Sequence, residues 1–453
     1  MAGVADKISG SRVTVLGAGR SGMAVAKLLH NKGAEVFLSE KSRVDEKPDA
    51  VKFLEKISIS SEFGGHTSRI FKADWFVVSP GVPLSSPVIE EAKRKKIPIF
   101  GELEVASWFC RSPIIGITGS NGKSTTTALL GEIFKKSGRP CIVAGNIGQP
   151  FSEYVEESHP DGIAVVEVSS FQLETIQNFH PAVAVFLNLT PDHLDRHGSM
   201  ENYGRIKSQI FRNQTGSDYA VVNGQDSFVM KLVRNIRSKR IIFGRESKST
   251  MCGFVRDSVL TIRLDEKEEE ILPVEELGIK GEHNVLNGLA AALAARMMDA
   301  DIDSIRNSLH DFHGLPHRME FVREIGGVRW VNDSKATNVD SVWYALGAFS
   351  SPIILIAGGR DKDSDFTSLR ERIKEKVRRI ILIGEAADKM EKAFKDLKPM
   401  LRASSLKEAV GKAHELAKAG DVVLLSPGCA SFDMFRNFED RGEQFKALIK
   451  ELW

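Results

Sequence analysis

A short apolar run that leads into a glycine-rich turn, at residues 114–124, constrains the fold of this chain more than any other segment. Ile114, Ile115 and Ile117 predict a buried strand, and the helical spacing of apolar residues after Ser124 predicts a helix. A strand, a tight turn and a helix N-terminus in this order are typical of a parallel α/β sheet that binds phosphate. The turn reads Gly119-Ser120-Asn121-Gly122-Lys123-Ser124.

This turn suits a nucleoside triphosphate, because backbone N–H groups and the positive end of a helix dipole converge there. We predict that Lys123 contacts the outer phosphates and that the Ser124 hydroxyl ligates Mg²⁺. The match to the general pattern G-x-x-x-x-G-K-[ST] is imperfect, since Ile117 stands where that pattern has glycine. An ordinary strand-to-helix turn with a surface lysine is the alternative interpretation.

Composition agrees with a nucleotide-binding enzyme but does not single one out, and the length predicts three domains. The chain has 453 residues, 42% of them hydrophobic, and a net charge of +2 that argues against a dedicated nucleic-acid binder. Four scattered cysteines predict neither a zinc site nor a disulfide framework. No apolar run has the length of a signal peptide or membrane span, so we expect a cytoplasmic protein with no membrane contact. The basic run Lys93-Arg94-Lys95-Lys96 is interpreted as a solvated helix surface.

A second glycine-rich turn, at residues 17–22, follows the predicted strand at residues 13–16. It fits G-x-G-x-x-G, and the next strand ends at Glu40, near the position where a dinucleotide fold places an acidic residue on a ribose. This pattern alone would favour NAD, but the same turn serves any diphosphate, including that of a nucleotide sugar. A further strand ends in Ser79-Pro80-Gly81, at the sheet edge where such folds bind ligands.

Polar residues at the ends of predicted strands mark the middle of the chain. Glu167 closes an apolar strand, where a lone carboxylate needs a cation, and Mg²⁺ is the obvious candidate. His193 lies between two aspartates after the next strand and is predicted to contact metal or phosphate, with helix capping as the alternative. Asn284 and Asn287 share one helix face and could bind a purine edge, although capping explains them nearly as well.

Strands that alternate with helices continue from Leu315, and glycine- or hydroxyl-rich turns follow the predicted strands. Because the strands of a parallel sheet share one direction, all these turns are expected along one edge. We therefore predict an α/β chain with three domains. These are an N-terminal Rossmann-like domain at residues 1–102, a central P-loop mononucleotide-binding domain with a parallel sheet at 103–314, and a C-terminal Rossmann-like domain at 315–453.

Seven motifs together resemble those of the Mur ligase family, and the resemblance covers essentially the whole chain in the right order. The C-terminal motifs resemble the branch of the family that adds D-glutamate. Sister ligases that add L-alanine, a diamino acid or a dipeptide differ chiefly in that region, as do the folylpolyglutamate synthetases. The motifs lie at residues 119–124, 167–172, 192–195, 281–284, 315–318, 332–338 and 425–433.

The resemblance implies an ATP-dependent amide ligase of peptidoglycan precursor synthesis. Such an enzyme joins D-glutamate to UDP-N-acetylmuramoyl-L-alanine through an acyl phosphate. It also implies two Mg²⁺ ions, one held by Ser124 and Glu167 and a second near His193. A carbamylated Lys207 would support the second ion, and Lys123, Glu167, His193 and Lys207 are the implied catalytic residues. We expect the enzyme to act as a monomer and to bind no nucleic acid.

The resemblance further implies three groups of binding residues. ATP is expected at Gly119, Ser120, Asn121, Gly122, Lys123, Ser124, Thr125, Asn284, Asn287, Arg318 and Asp333. The UDP-sugar is expected at Arg20, Ser21, Glu40, Gly81, Asn146, Ser169 and His193, and it stays open which of Glu40, Lys41 and Ser42 contacts uracil. D-Glutamate is expected at Lys335, Thr337, Lys362, Ser431 and Phe432. Because these ATP contacts span two domains, the C-terminal domain is expected to close over ATP and exclude water.

Other functions stay open at this point. A nicotinamide-dependent dehydrogenase would use the turn at residues 17–22, and a motor or switch ATPase would hydrolyse ATP without either substrate. A non-catalytic nucleotide-binding protein would tolerate loss of Glu167 or His193. None of these explains the lysine and hydroxyl turns of the third domain. Within the family, a ligase for a different amino acid is the main alternative.

Overall fold

The computed structural model describes residues 8–146, 149–246, 249–265, 267–361 and 364–452. Within these ranges three sheets follow one another along the chain, with five, nine and six strands. Helices connect most of the parallel strands, as expected because such strands need crossover connections. The predicted α/β class with three sheets is therefore confirmed, and the domain boundaries near residues 102 and 314 remain predictions.

The N-terminal sheet consists of parallel strands separated by helices. Its elements are β1 (Arg12–Leu16), α1 (Arg20–Asn31), β2 (Glu35–Glu40), α2 (Pro48–Lys56), β3 (Ser60–Phe63), β4 (Trp75–Val78), α3 (Pro87–Arg94) and β5 (Ile99–Gly101). The strand order is β3-β2-β1-β4-β5, so the carboxyl ends of the three middle strands share one edge. At this edge a Cβ on Gly22 would lie 1.9 Å from the Gly17 carbonyl oxygen, which explains the glycine in α1.

The central sheet carries the lysine-containing turn. Its elements are α4 (Glu102–Ser107), β6 (Ile114–Thr118), α5 (Lys123–Lys136), β7 (Cys141–Gly145), α6 (Phe151–Tyr154), β8 (Ile163–Glu167), α7 (Ser170–Leu173), β9 (Val183–Phe186), α8 (Leu194–His197), α9 (Met200–Ser208), β10 (Tyr219–Asn223), α10 (Ser227–Leu232), β11 (Lys239–Phe243), β12 (Met251–Arg256), β13 (Val259–Leu264), β14 (Lys267–Pro273), α11 (Glu282–Arg296) and α12 (Ile302–Asp311). The order is β14-β13-β12-β11-β10-β9-β6-β8-β7. The β12–β13 and β13–β14 pairs are antiparallel. The predicted P-loop strand, β6, thus lies inside the sheet between β8 and β9.

The C-terminal sheet also has its polar turns along one edge. Its elements are β15 (Glu320–Ile325), β16 (Val328–Asn332), α13 (Val339–Gly347), β17 (Ile353–Gly358), α14 (Arg370–Lys376), β18 (Val377–Ile383), α15 (Ala387–Phe394), β19 (Met400–Arg402), α16 (Leu406–Leu416), β20 (Val422–Leu425) and α17 (Phe438–Lys450). The order is β15-β16-β20-β17-β18-β19, and only the β15–β16 pair is antiparallel among the described strands. Asn332 lies opposite Leu425, so the turns after β16 and β20 are neighbours.

Helix α4 joins the first two sheets. Val105 packs in the core of the N-terminal sheet, while Leu103 and Ala106 pack in the core of the central sheet. The fully buried Glu104 carboxylate accepts hydrogen bonds from the Trp108 indole and from the backbone N–H groups of residues 177–179 at 2.9–3.0 Å. Four donors on one carboxylate satisfy its buried charge and fasten the helix to the central unit.

Among the described residues, no helix is both long enough and apolar enough to cross a lipid bilayer.

Candidate active site

The glycine-rich turn between β6 and α5 forms the centre of the candidate site. Gly119 and Gly122 have φ values of +150° and +85°, which residues with a Cβ rarely adopt. A Cβ on Gly122 would also lie 2.3 Å from the side-chain oxygen of Asn287. The two glycines therefore let the turn pack against α11 and keep the N-terminus of α5 clear of bulky side chains.

A second turn, after β9, holds the glycine-rich turn in place. The Asn121 N–H donates to the Asn188 side-chain oxygen at 2.8 Å, and the Asn188 amide donates back to the Asn121 carbonyl at 3.0 Å. The Ser120 hydroxyl donates to the Thr190 carbonyl at 2.9 Å. Contacts within the protein thus fix the conformation of the predicted phosphate-binding turn.

Two lysine side chains converge on one carbonyl of this turn. Lys123 and Lys207 each donate to the Gly119 oxygen at 2.8 Å, and Lys123 also donates to the Ser120 carbonyl at 2.8 Å. Lys207, which comes from α9, is only 1% exposed. Burial, reinforced by the charge of Lys123, holds the pKa of Lys207 well below its ordinary value. The low pKa favours a neutral amine at a position that a local sequence pattern would assign to the surface.

A buried carboxylate ends the neighbouring strand β8. Glu167 is 2% exposed, and its Oε1 accepts a hydrogen bond from the Asn146 amide at 2.8 Å. Its Oε2 is buried and has no hydrogen-bond partner among the described residues. Because an unsatisfied buried carboxylate oxygen is costly, this atom fits a cation such as Mg²⁺, to which the buried Ser124 hydroxyl on α5 could also contribute.

The described residues contain no cluster of three or more histidine, cysteine, aspartate or glutamate side chains that could hold a metal. A cation at Glu167 would therefore take its remaining ligands from hydroxyl, water or phosphate oxygens, which Mg²⁺ accepts readily. Such a set of ligands suits a metal ion that binds together with a nucleotide.

His193 and Ser169 lie on turns that follow β9 and β8. His193 has a left-handed φ of +54° at the start of α8, and its Nε2 is 3.6 Å from an Asp192 oxygen. Its ring contacts the edge of the Phe171 ring at a centroid distance of 4.9 Å. The Ser169 hydroxyl caps α7 by accepting the Gln172 N–H. His193 also occupies the N-cap position of α8, as the capping alternative expected, but its side chain makes no capping hydrogen bond.

A narrow cleft of about 70 Å³ separates the central and C-terminal sheets. Of the two amides predicted for the nucleotide, Asn287 lines this cleft and Asn284 does not. Asn284 instead accepts a hydrogen bond from the Asn287 amide at 3.0 Å, so it orients its neighbour. His283 lines the cleft and was not predicted; its ring contacts the Tyr344 ring at 5.1 Å. Burial, together with the charge of Arg318, lowers the pKa of His283 to about 4.

Charged side chains of the C-terminal unit also reach this cleft. Arg318 donates to the Thr125 hydroxyl on α5 at 3.2 Å, which joins the two units across the cleft. Asp333 accepts the Ser426 hydroxyl at 2.8 Å and the Met319 N–H at 3.2 Å. Burial raises the pKa of Asp333 to about 7, although the Ser426 bond and the Arg318 charge oppose the rise.

The N-terminus of α13 also contacts the glycine-rich turn. The Ser341 hydroxyl donates to the Asn121 side-chain oxygen at 3.0 Å, and the Asn338 amide approaches the same oxygen at 3.5 Å. The Asn338 amide also lies 3.4 Å from an Asp192 oxygen. The C-terminal unit therefore rests directly on the predicted phosphate-binding turn.

A second, much larger cavity of about 1090 Å³ opens at the edge of the N-terminal sheet. It is lined by five of the seven residues predicted for the UDP-sugar, namely Arg20, Ser21, Glu40, Gly81 and Asn146. Ser169 and His193 are absent from its lining. Lys41 and Ser42 line it beside Glu40, so all three candidates for the uracil contact are present. Gln172 and His66 also line it and were not predicted.

The Glu40 carboxylate organises the rim of this cavity. Its two oxygens accept the backbone N–H groups of Ala18 at 2.6 Å and Ser42 at 2.8 Å. Burial disfavours the charge of Glu40, but these hydrogen bonds outweigh it and lower the pKa below its ordinary value. The carboxylate thus ties the turn after β2 to the glycine-rich turn after β1.

Comparisons with known proteins agree with this geometry. Three family models match: the MurD N-terminal domain at residues 12–88, the Mur ligase middle domain at 117–295 and the Mur ligase, glutamate ligase domain at 317–429. A UDP-N-acetylmuramoylalanine--D-glutamate ligase of Salinibacter ruber is 44% identical over 458 residues, which cover 99% of each chain. The chain belongs to the Mur ligase family. A ligase of the same name from Pelotomaculum thermopropionicum is 44% identical and covers 97% of this chain and 98% of its own.

Solved structures share the fold of this Mur ligase family member. A pseudomurein peptide ligase type C from Methanothermus fervidus has a TM-score of 0.62 at 20% identity and covers 97% of this chain and 99% of its own. MurF from Acinetobacter baumannii has a TM-score of 0.63 at 17% identity, with coverages of 92% and 91%. These likenesses concern the fold alone.

In this Mur ligase, the residues predicted for D-glutamate lie on turns after neighbouring strands. Lys335 and Thr337 follow β16, while Ser431 and Phe432 follow β20. Burial lowers the pKa of Lys335 to about 8, and its ammonium lies over the Phe438 ring. Thr337, Ser431 and Phe432 line neither cavity described above, and Phe432 is 63% exposed. Lys362 lies outside the described residues.

Proposed function

We propose that this protein is an ATP-dependent ligase that joins D-glutamate to the L-alanine carboxylate of UDP-N-acetylmuramoyl-L-alanine. The observation that carries the proposal is the 42–44% identity to relatives of that name over nearly the whole chain. The two cavities support it, because one is suited to a sugar nucleotide and the other adjoins a phosphate-binding turn. The substrate carboxylate would attack the γ-phosphorus of ATP and release ADP, which gives an acyl phosphate. The amine of D-glutamate would then attack the acyl carbon, form the amide bond and release phosphate and a proton.

ATP is proposed to bind with its phosphates on residues 119–125. Lys123 would exchange the Gly119 and Ser120 carbonyls for the outer phosphates and neutralise their charge. Arg318, which already reaches Thr125, would add a second cation from the C-terminal unit. Asn287 would contact the adenine and Asp333 the ribose. Asn284 would act through Asn287, since its side-chain oxygen accepts a hydrogen bond from that amide.

Mg²⁺ fits the site because Glu167 has an unsatisfied buried oxygen and Ser124 a buried hydroxyl. When bound, the ion would neutralise phosphate charge and so favour attack of the substrate carboxylate. His193, on the adjoining turn, is proposed to contribute to a second ion.

Lys207 is proposed to be carbamylated. Its burial and low pKa favour the neutral amine, whose nitrogen can attack CO₂ with release of one proton to form a carbamate. The new carboxylate would lie beside the glycine-rich turn and support the second Mg²⁺. ¹³C-labelled bicarbonate should give a carbamate resonance in the wild type that the Lys207→Ala variant lacks. A wild type without that resonance would contradict the modification and leave the ligase proposal intact.

The remaining substrates are assigned to the N-terminal cavity and to the C-terminal turns. The sugar nucleotide would occupy the cavity lined by Arg20, Ser21, Glu40, Gly81 and Asn146, with Gln172 at its central-sheet end. Ser169 and His193 would contact its reactive end. D-Glutamate, with two carboxylates, suits Lys335 and Lys362 together with the hydroxyls of Thr337 and Ser431 and the ring of Phe432.

The decisive experiment measures phosphate release with ATP and UDP-N-acetylmuramoyl-L-alanine while the amino acid is varied. D-Glutamate should support release, whereas L-glutamate, L-lysine and meso-diaminopimelate should not. Release with one of the other amino acids would instead assign the chain to a sister ligase. Release without any amino acid would indicate a simple ATPase.

A further inference from the structure

The segment from α10 through β11 carries several cations and no acidic residue. Residues 227–245 contain six lysine and arginine residues and no aspartate or glutamate. Arg245 contacts Glu282, which leaves five cations. We define the basic patch as Lys231, Arg234, Arg237, Lys239 and Arg240, all of which are exposed.

The side chains of the basic patch are not neutralised by the protein. Among the described residues, none of the five takes part in an ion pair or a side-chain hydrogen bond. Lys231 and Lys239 instead lie over the Phe228 and Tyr219 rings, at 5.6 Å and 5.4 Å. Because the whole chain has a net charge of only +2, the rest of the molecule is net negative. The five residues lie on α10, on its connection to β11 and on the first two residues of β11, so positive charge is concentrated around the amino-terminal end of that strand.

A second basic run shows what an internally neutralised surface looks like. Lys93 pairs with Glu90 at 2.7 Å, and Lys95 pairs with Glu91 at 3.4 Å. Arg94 also contacts Glu91. Three of the four cations of this run are thus paired with two carboxylates of α3, whereas no such pair is found for the basic patch among the described residues.

An exposed aromatic side chain adjoins the basic patch. Phe228 is 42% exposed on α10, and the Lys231 ammonium lies beside it. Cations next to an exposed aromatic ring are typical of surfaces that bind anionic lipid headgroups and insert one apolar side chain. Binders of single-stranded nucleic acid instead place several aromatic rings along a groove, and Phe228 is the one large exposed apolar side chain described within residues 227–245.

We propose that the basic patch and Phe228 form a docking surface for an anionic lipid membrane, so that the protein associates peripherally with it. We call the narrow cleft between the central and C-terminal sheets the nucleotide cleft. None of the residues of the docking surface lines this cleft or the N-terminal cavity. Lys239 begins β11, whereas Phe243 at its other end lines the cleft, about 13 Å away along the strand. Membrane binding therefore leaves both clefts accessible. The proposal revises the expectation of no membrane contact and does not depend on the proposed reaction.

The test is co-sedimentation of the full chain with lipid vesicles. Vesicles with about 30% phosphatidylglycerol should bind the protein at about 0.1 M salt, while pure phosphatidylcholine vesicles should not. Binding should weaken at about 1 M salt, where charge attraction is screened. Equal binding to both vesicle types, or no binding to the anionic ones, would overturn the proposal.

Matched variants assign the binding to the basic patch. Replacing its five cations with glutamine should weaken binding about tenfold or more, whereas glutamine at Lys93, Arg94, Lys95 and Lys96 should not. Phe228→Ser should weaken the salt-resistant part of the binding. Both glutamine variants should keep the wild-type melting temperature and phosphate release. Wild-type binding by the five-site variant would refute the surface, and tighter binding of a single-stranded RNA than of anionic vesicles would assign the patch to nucleic acid instead.

Discussion

The two clefts of this Mur ligase differ in how far they are already formed. The N-terminal cavity measures about 1090 Å³, and the Glu40 carboxylate braces its rim. The nucleotide cleft measures about 70 Å³, because Ser341 and Asn338 of the C-terminal unit rest on the glycine-rich turn. On the proposed assignment, the sugar nucleotide would enter a cavity that is already open, whereas ATP would require the C-terminal unit to move away from the glycine-rich turn.

The difference follows from what fills each site in the protein alone. Next to the nucleotide cleft, Lys123 and Lys207 donate to the Gly119 carbonyl of the turn that is proposed to hold phosphates. In the N-terminal cavity, the polar groups brace the rim and leave the interior open. We infer that binding of the sugar nucleotide requires little rearrangement, while binding of ATP exchanges protein contacts for phosphate contacts.

The largest effect is expected from Lys123→Ala. The variant should lose about 10²–10³-fold in turnover, because it lacks the cation that would face the outer phosphates. Binding of the sugar nucleotide, measured by calorimetry, should remain unchanged, since its cavity is separate. Lys135→Ala, at the exposed end of the same helix, is the control. Unimpaired turnover in Lys123→Ala would contradict the assignment of the turn to ATP.

Loss of the second lysine should be partly reversible. Lys207→Ala should reduce turnover about 100-fold, because the variant lacks the proposed carbamate that supports a metal ion. Added acetate or formate should restore part of the activity by supplying a carboxylate in the space that the side chain left. Arg205→Ala, on the exposed side of the same helix, should behave as wild type. Full activity without added acid would show that Lys207 has no such role.

A substitution in the preformed cavity should act on binding alone. Glu40→Ala should raise the KM for the sugar nucleotide about tenfold, because the Ala18 and Ser42 amides lose their common acceptor. The kcat and the KM for ATP should stay unchanged. Glu35→Ala, on the exposed start of the same strand, is the control. A change in kcat would mean that the two clefts are coupled.

The nucleotide cleft should also make stability depend on pH. Burial raises the pKa of Asp333 from 3.8 to about 7, so the folded protein holds a proton that the unfolded chain releases. This contribution to stability is complete below about pH 4 and is lost as pH rises to about 7. The melting temperature should therefore fall over this range less in Asp333→Asn than in the wild type. Ser426→Ala, which removes a donor to the carboxylate and so raises its pKa further, should extend the fall to higher pH.

The smallest effect is expected from the contact that closes the cleft. Ser341→Ala removes the hydrogen bond to Asn121, so the closed form loses stability and a non-hydrolysable ATP analogue should bind about threefold tighter. Small-angle scattering should show a slightly larger radius of gyration for this variant without ligand. Ser368→Ala, elsewhere in the C-terminal unit, is the control. Weaker binding of the analogue would mean that the contact belongs to the ATP-bound form.

The parts of the site that local patterns encode could be predicted from the sequence. Glycines before a helix and a carboxylate at the end of an apolar strand indicate their surroundings directly, so the turn around Lys123 and the burial of Glu167 were accessible. The set of UDP-sugar residues around Glu40 came from the resemblance to the family, and the local patterns pointed only to the turns at Arg20, Glu40 and Gly81.

The remaining parts depend on tertiary contacts that no local pattern records. The local sequence around Lys207 predicts a surface residue of α9. Only the packing of that helix brings the side chain to the Gly119 carbonyl. Asn284 was predicted to contact the nucleotide, but His283 lines the cleft in its place. The packing of α11 determines which of these two neighbours faces the cleft. Gln172 reaches the N-terminal cavity through the junction of two sheets, which a pass along the chain does not reveal.

The carboxylate of Glu104 has a consequence for living cells. Four donors depend on it, and its helix contributes to two cores at once. A neutral replacement would leave amide groups buried without an acceptor. It would also weaken the packing between the N-terminal and central sheets, to which α4 contributes. Alleles altered at this codon are therefore candidates for heat-sensitive growth, with cells that divide at low temperature and burst when warmed.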